Sequence, residues 1–312
     1  MRVRFWGVRG SLPTPLLPSQ VRDKLAVILS QALPEDLADG VSRERFIAGL
    51  PSWLFGTVGG NTACVSISTE GCREPIIFDC GSGMKELGNA AVENRSLSYH
   101  VFLSHFHWDH LQGLPFFGPV FDPEVSVNFY SPRPGFREAL AGLMYEPYSP
   151  VSIGFMPAKK NFRILEGPIS IGDATVSFRQ RNHPGGSFAY RVSEGGKSFI
   201  YATDSELCRD DFDRSNRENA EFFANADVAV LDSQYTLSQS LEKAGWGHSA
   251  FSMAVEFASI WKIKHLVLFH FDPASMDRDI SGMLHAARRY EKSAYGGRTE
   301  ISIASEGMEI VL

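Results

Sequence analysis

The chain has 312 residues, with 30 Lys+Arg against 36 Asp+Glu for a formal net charge of −6, and 44% of its residues are hydrophobic. That balance excludes a disordered or collagen-like chain, and the mild acidity argues against non-specific grip on nucleic acid, whose phosphates need clustered Lys and Arg. No apolar run reaches the ~18 residues of a membrane span, the first residues carry no signal-peptide pattern, and Cys64, Cys72, Cys80 and Cys208 show no C-x-x-C pairing, which together point to a cytoplasmic protein with reduced thiols.

Val3 and Phe5 alternate into Gly7 as a first strand, and Pro13 and Pro15 close the loop after it. From Ser19 the period changes. Val21, Leu25, Ile28 and Leu29 fall at helical spacing, and a second helical stretch runs from Val41 to Leu50. Strand character returns at 62–68, so residues of about 16–56 read as a helical insertion. Short apolar strands are expected at 76–79 and 100–104, with a helix from about Met84 between them. Further strands are expected at 125–130, 169–179, 188–193, 198–203, 227–232, 265–270 and 301–312, and helices at 135–144, 216–225, 249–261 and 279–290. Strands separated by helices, with a hairpin at Glu194-Gly-Gly196, predict an α/β layered domain with mixed sheets. No low-complexity linker divides the chain, so residues 1–312 read as one domain with the insertion.

The nine histidines are not scattered evenly. Ser104-His105-Phe-His107-Trp-Asp109-His110 follows the strand 100–104 directly and gathers three imidazoles and a carboxylate within six residues. In an extended or turning loop His105 and His107 point one way, while Asp109 and His110 turn to a second centre. Imidazole with carboxylate suits Zn, Mn or Fe, and the lack of Cys ligands leaves all three open. One ion would leave ligands over, so two are expected.

This H-x-H-x-D-H run resembles the signature of the metallo-β-lactamase fold family, which implies a four-layer αββα sandwich of two mixed β-sheets. The resemblance also implies three later ligands at strand ends, matched here by His183 in Arg181-Asn-His-Pro184, Asp204 in Ile200-Tyr-Ala-Thr-Asp204 and His270 in Leu266-Val-Leu-Phe-His270. One metal would be held by His105, His107 and His183, the other by Asp109, His110 and His270, with Asp204 bridging. A His at position 107, where diiron flavoproteins of the family commonly carry Glu, argues against redox chemistry. Phe5-Trp-Gly-Val-Arg-Gly-Ser-Leu-Pro-Thr14, Gly59-Gly-Asn-Thr62, Asp79-Cys-Gly-Ser-Gly83 and Gly245-Trp-Gly-His248-Ser249 are similar to the branch of tRNA 3′-processing endonucleases and cyclic-nucleotide phosphodiesterase-like hydrolases.

The resemblance implies a hydrolase using two divalent ions, Zn foremost, and a shared hydroxide that attacks a small or cyclic phosphodiester in line. His248 and Asp109 are the expected catalytic residues, with His248 as the acid that protonates a departing alkoxide. Asp79 and Asp232 are expected behind the ligands, orienting imidazoles through their outer N–H. Phe116, Phe117, Tyr235 and Trp246 are candidates to stack on a base or aryl group, and Arg9 to face a substrate phosphate. Lys159, Lys160 and Arg163 read as a solvated loop, too small a cluster for a tRNA footprint. His100, His265 and His285 read as structural. The insertion reads as a lid, a homodimer contact or a plain surface elaboration. The alternatives to a small-phosphodiester enzyme are a tRNA 3′-processing-type endoribonuclease, a lactone or thioester hydrolase, and an inactive binding domain.

Overall fold

Among the described residues, short runs, some alternating and some buried throughout as at 228–232, form fourteen strands that pair into two sheets of seven. The computed structural model describes residues 1–72, 74–92 and 95–312. In the first sheet β14 (Glu309–Val311), β1 (Arg2–Gly7), β2 (Cys64–Ser68) and β3 (Ile76–Phe78) run antiparallel to their neighbours, and β4 (Ser98–Phe102), β5 (Ser126–Ser131) and β6 (Lys159–Ile164) continue from β3 in parallel. The second sheet repeats the scheme. Its parallel half is β13 (Glu300–Ile303), β12 (His265–Phe269), β11 (Val228–Asp232) and β10 (Lys197–Ala202), and β9 (Ser187–Glu194), β8 (Ala174–Arg181) and β7 (Ile169–Ile171) extend it antiparallel.

Side chains of period two divide between layers. In β3, Phe78 faces the second sheet, where its ring stacks on Tyr201 with centroids 5.2 Å apart, while Ile77 faces outward. Outward residues of the first sheet pack under α4 (Met84–Ala90) and α5 (Phe136–Leu143) through Leu87, Phe136 and Leu140. The second sheet is covered by α6 (Arg217–Phe223), α8 (Phe251–Ile260) and α9 (Asp277–Tyr295), with Phe223, Phe257, Ile280 and Ala287 buried against it. Helix, sheet, sheet and helix follow in that order, an αββα sandwich.

The segment read as an insertion is helical in α1 (Pro18–Gln31), α2 (Gly40–Gly49) and α3 (Ser52–Phe55), and joins β1 to β2. Among the described residues, none of α1 or α2 is buried. A charge, rather than an apolar face, ties α1 to the sandwich. Lys24 reaches the carboxylate of buried Asp277 at 2.5 Å and the Gly56 carbonyl at 2.6 Å.

Three expectations change. Residues 159–164, read as a solvated loop, form the edge strand β6, where alternating Lys159, Asn161 and Arg163 keep an open edge soluble. The run 169–179 is two strands, because Gly172 takes a positive φ of 56° and turns the chain. The run 301–312 is also two strands, and they belong to different sheets: β13 lies beside β12, whereas β14 returns to β1. A short helix, α7 (Leu237–Glu242), capped by Thr236, is among the elements that periodicity did not reveal.

Candidate metal centre

The polar residues of the site stand at strand ends, with His183 just past β8 and Asp232 closing β11. Asp79 follows β3, the His105–His110 loop follows β4, Asp204 follows β10 and His270 follows β12. Asp79, Asp204 and His270 all have positive φ (61°, 47° and 66°), a region that Asp and His tolerate better than most residues but that still stores strain. In each case the chain turns off the sheet and the buried side chain joins the polar cluster, Asp79 behind His110 and Asp204 beside His270.

His105 Nε2, His107 Nδ1, His183 Nε2 and Asp204 Oδ2 form one group. His107 Nδ1 and His183 Nε2 are 3.2 Å apart, and Asp204 Oδ2 lies 3.6 Å from His105 Nε2 and 3.8 Å from His183 Nε2. The other carboxylate oxygen faces a second group: Asp204 Oδ1 is 3.2 Å from His110 Nε2 and 3.1 Å from His270 Nε2. Asp109 Oδ2 completes that group at 3.2 and 3.5 Å from the same two nitrogens. Tetrahedral ligands ~2.0–2.1 Å from one ion stand ~3.3 Å apart, so both groups have the spacing of a coordination shell.

Buried ring nitrogens need a partner, yet His105 Nε2, His110 Nε2 and His270 Nε2 have no hydrogen-bond partner among the described residues. Their outer nitrogens do. His110 Nδ1 donates to Asp79 Oδ2 at 2.8 Å, and His105 Nδ1 lies 3.0 Å from Ser104 Oγ, which itself donates to Asp79 at 2.7 Å. His183 Nδ1 donates to the Gly247 carbonyl at 2.9 Å and His270 Nδ1 to Gln234 Oε1 at 3.3 Å. A proton on each Nδ1 leaves a lone pair on each Nε2, and those lone pairs point into the two groups. This donor set fits divalent metal, the orphaned nitrogens being the atoms it would satisfy.

Electrostatics favour neutral imidazoles at His105 and His107 and an ionised Asp204, and set His110 apart. Burial and neighbouring imidazoles push the pKa of His105 well down, and burial first and then His183 lower that of His107, so both stay neutral and able to ligate. Burial opposes ionisation of Asp204, but His270, His110 and His105 outweigh it and hold its carboxyl well below the usual range. For His110 burial is outweighed the other way, since Asp204, Asp109 and Asp79 raise its pKa.

Beside the second group, His248 Nδ1 donates to Asp232 Oδ2 at 2.7 Å, and its ring stacks on His270 with centroids 5.0 Å apart. Asp232 Oδ1 accepts from the Ser249 N–H at 3.1 Å, so this strand-end carboxylate holds both ring and loop.

The expected substrate residues divide. Trp246 and Phe116 are exposed, Trp246 within the loop that carries His248. Phe117 is not a pocket residue: it is fully buried edge-on to Tyr99, with centroids 5.1 Å apart, because Gly88 of α4 leaves room for its ring. Tyr235 is buried as well, edge-on to His248, and so backs the imidazole rather than facing a ligand. Arg9 does not face the site either. It turns inward, donating to the Gly59 and Ser275 carbonyls at 2.9 and 2.7 Å beside Asp277, and at 2% exposure it cannot meet a substrate phosphate. Its loop reaches the site through backbone instead, since the Ser11 N–H donates to Asp109 Oδ2 at 2.8 Å. Sequence reasoning missed Ser104, Tyr201, Gln234 and Ser11. Tyr201, which donates to Asp79 at 2.9 Å, was legible only as an apolar strand residue.

Residues 75–271 match the Beta-lactamase superfamily domain. The chain belongs to that superfamily. It is 24% identical over 276 residues to the Ribonuclease Z of Picrophilus torridus, covering 71% of this chain and 84% of that protein. Among solved structures, the metallo-β-lactamase fold protein YhfI of Bacillus subtilis superposes with a TM-score of 0.64 at 17% identity, over 99% of this chain and 98% of that one. A diphosphatase of the PhnP family superposes with a TM-score of 0.62 at 16% identity, over 100% and 97%. This superfamily hydrolase therefore carries a His/Asp cluster with the chemistry of a divalent-metal site.

Proposed function

We propose that the chain is a dinuclear metal-dependent phosphodiesterase for small or cyclic phosphodiesters, including nucleotides. The observation that carries the reading is Asp204, whose two oxygens face two separate ligand groups. His105, His107 and His183 would hold one ion and Asp109, His110 and His270 the other, with Asp204 offering an oxygen to each group. Zn suits the imidazole-rich set best, with Mn or Fe as the alternatives. When bound, the pair supplies a hydroxide at neutral pH and neutralises charge on a phosphoryl oxygen.

The protein's own groups do the rest. Asp79 fixes the rings of His110 and, through Ser104, His105, so their lone pairs stay aimed. His248 keeps its proton at neutral pH: burial lowers its pKa, but the charge and hydrogen bond of Asp232 outweigh burial and push it up to about 9. With Nδ1 held by Asp232, Nε2–H is free to donate to the oxygen of a departing alkoxide. A thioester, whose thiolate leaves without protonation, needs no such acid, which supports phosphodiesters over thioesters. Trp246 and Phe116, both exposed, are the aromatic surfaces a base would meet.

The Ribonuclease Z relative supports a second reading, a tRNA 3′-processing endoribonuclease, against which the net charge of −6 weighs. One panel under defined Zn, Mn and Fe tests both: cyclic nucleotides, a dinucleotide, a tRNA precursor, a lactone and a thioester. Turnover of the small phosphodiesters above the others is the expected result, and a preference for the tRNA precursor or the carbonyl substrates overturns it. The assignment further expects two ions per chain by elemental analysis, a cytoplasmic location, and no membrane association. Among the described residues no helix is long and apolar enough to cross a membrane.

A further inference from the structure

We infer that Glu206 is the positioning residue of the proton donor, clamping the loop 245–248 against the strand end that carries Asp204. The inference rests on the reading of His248 as the acid.

Gly245-Trp-Gly-His248 is a loop whose two glycines take positive φ, 84° at Gly245 and 91° at Gly247, so that both N–H groups turn to the same side. One carboxylate fills the concavity they make. Glu206 Oε1 accepts from the Gly245 N–H at 2.9 Å, and Oε2 accepts from the Gly247 N–H at 2.9 Å. Successive N–H groups converging on an anion are a nest, and the charged acceptor makes these bonds stronger than neutral ones.

The clamp is anchored at its own base. The Glu206 N–H donates to the Asn182 carbonyl at 2.8 Å, next to His183. On either side, Ser249 Oγ donates to the Ser205 carbonyl at 2.6 Å and accepts from the Leu207 N–H at 2.9 Å. Residues 204–207 therefore supply the shared carboxylate and strap the acid's loop in one continuous turn.

Position matters here because the tolerance is small. The Gly247 carbonyl accepts from His183 Nδ1 at 2.9 Å, and a Cβ on Gly247 would stand 2.1 Å from the same nitrogen. The loop thus sits in contact with a ligand imidazole, and His248 follows one residue later. Asp232 holds the ring of His248 and the loop's exit at Ser249, whereas Glu206 holds its entry at Gly245 and Gly247 and so sets the angle at which the loop approaches the site. A misplacement of about 1 Å can cost a reacting group ~100-fold.

The test compares Glu206→Ala, Glu206→Gln and His248→Ala on two phosphodiesters, bis(4-nitrophenyl) phosphate with its good aryl leaving group and a dinucleoside monophosphate with its alkoxide. Loss of the acid weighs on the alkoxide substrate. The expected result for Glu206→Ala is a kcat about tenfold further reduced on the dinucleotide than on the aryl ester, with the metal content of wild type. Glu206→Gln, which keeps one acceptor oxygen, should fall between and decides the matter if the alanine variant does not fold. Equal loss on both substrates, loss accompanied by loss of metal, or no loss at all overturns the clamp. If His248→Ala is itself unselective between the substrates, the acid assignment falls; if His248→Ala is selective and neither Glu206 variant is, the clamp alone falls.

Discussion

Two carboxylate–imidazole pairs sit at strand ends, one in each sheet. Asp79 follows β3 and accepts from His110 Nδ1 at 2.8 Å; Asp232 ends β11 and accepts from His248 Nδ1 at 2.7 Å. The bond is the same, but the surroundings differ. His110 is fully buried, and its free Nε2 meets Asp109 and Asp204 in a closed group of acceptors. His248 is only partly buried, in a loop beside exposed Trp246, at the edge of the group formed by Asp204 and His270. One pairing thus serves two tasks. On the proposed reading, the fully buried imidazole set among carboxylates is the cation ligand, and the partly exposed one at the edge of the Asp204–His270 group is the proton donor.

The sharpest way to break the first pair is His110→Ala. It removes a ligand of one group and should lower turnover of aryl and alkyl phosphodiesters alike by at least ~1,000-fold, with a drop in bound metal read by elemental analysis. Full activity with full metal content would refute the ligand assignment. His248→Ala should keep the metal and lose about 100-fold or more on an alkoxide leaving group, the usual scale of general acid catalysis; the aryl-to-alkyl ratio of kcat measures it. Asp79→Asn comes next. The amide cannot accept from His110, Ser104 and Tyr201 as the carboxylate does, and metal affinity should weaken by ~10–100-fold in a competition titration against a chelator.

The smallest effect sharpens the second pair through pH. His248 must be protonated to donate, so kcat on an alkoxide substrate should fall as pH rises through its pKa, pushed up to about 9 by Asp232. Asp232→Asn removes the charge that favours the imidazolium, and the alkaline limb should move down, towards the ordinary imidazole value of ~6.5. A limb that stays in place in the asparagine variant would detach the acid role from this pair.

Much of this site was legible because strand ends are local features. A short apolar run followed at once by Asp or His, as in Ile200-Tyr-Ala-Thr-Asp204 and Leu266-Val-Leu-Phe-His270, marks a polar side chain where backbone leaves a sheet. Other parts were not legible, because their partners lie far along the chain. Arg9 looked free to meet a phosphate until Gly59, Ser275 and Asp277 closed around it. Phe117 and Phe116 are equivalent in sequence, yet one is fully buried and the other exposed. Nothing local assigns 300–303 and 309–311 to opposite sheets; that division follows from the parallel place open beside β12 and the antiparallel place open beside β1.

The sequence by itself determined the residue types of the site, their order, and the strands that deliver them, since each depends on spacing along a few residues. Only the tertiary structure decided which nitrogen of each imidazole faces the centre, because that depends on the acceptor behind it: Asp79, Ser104, Gly247 or Gln234. It likewise decided that Asp204 divides its two oxygens between groups and that Glu206 holds the loop of His248. Those are matters of direction in space, and direction is set when distant segments pack, not by the order of residues in any one of them.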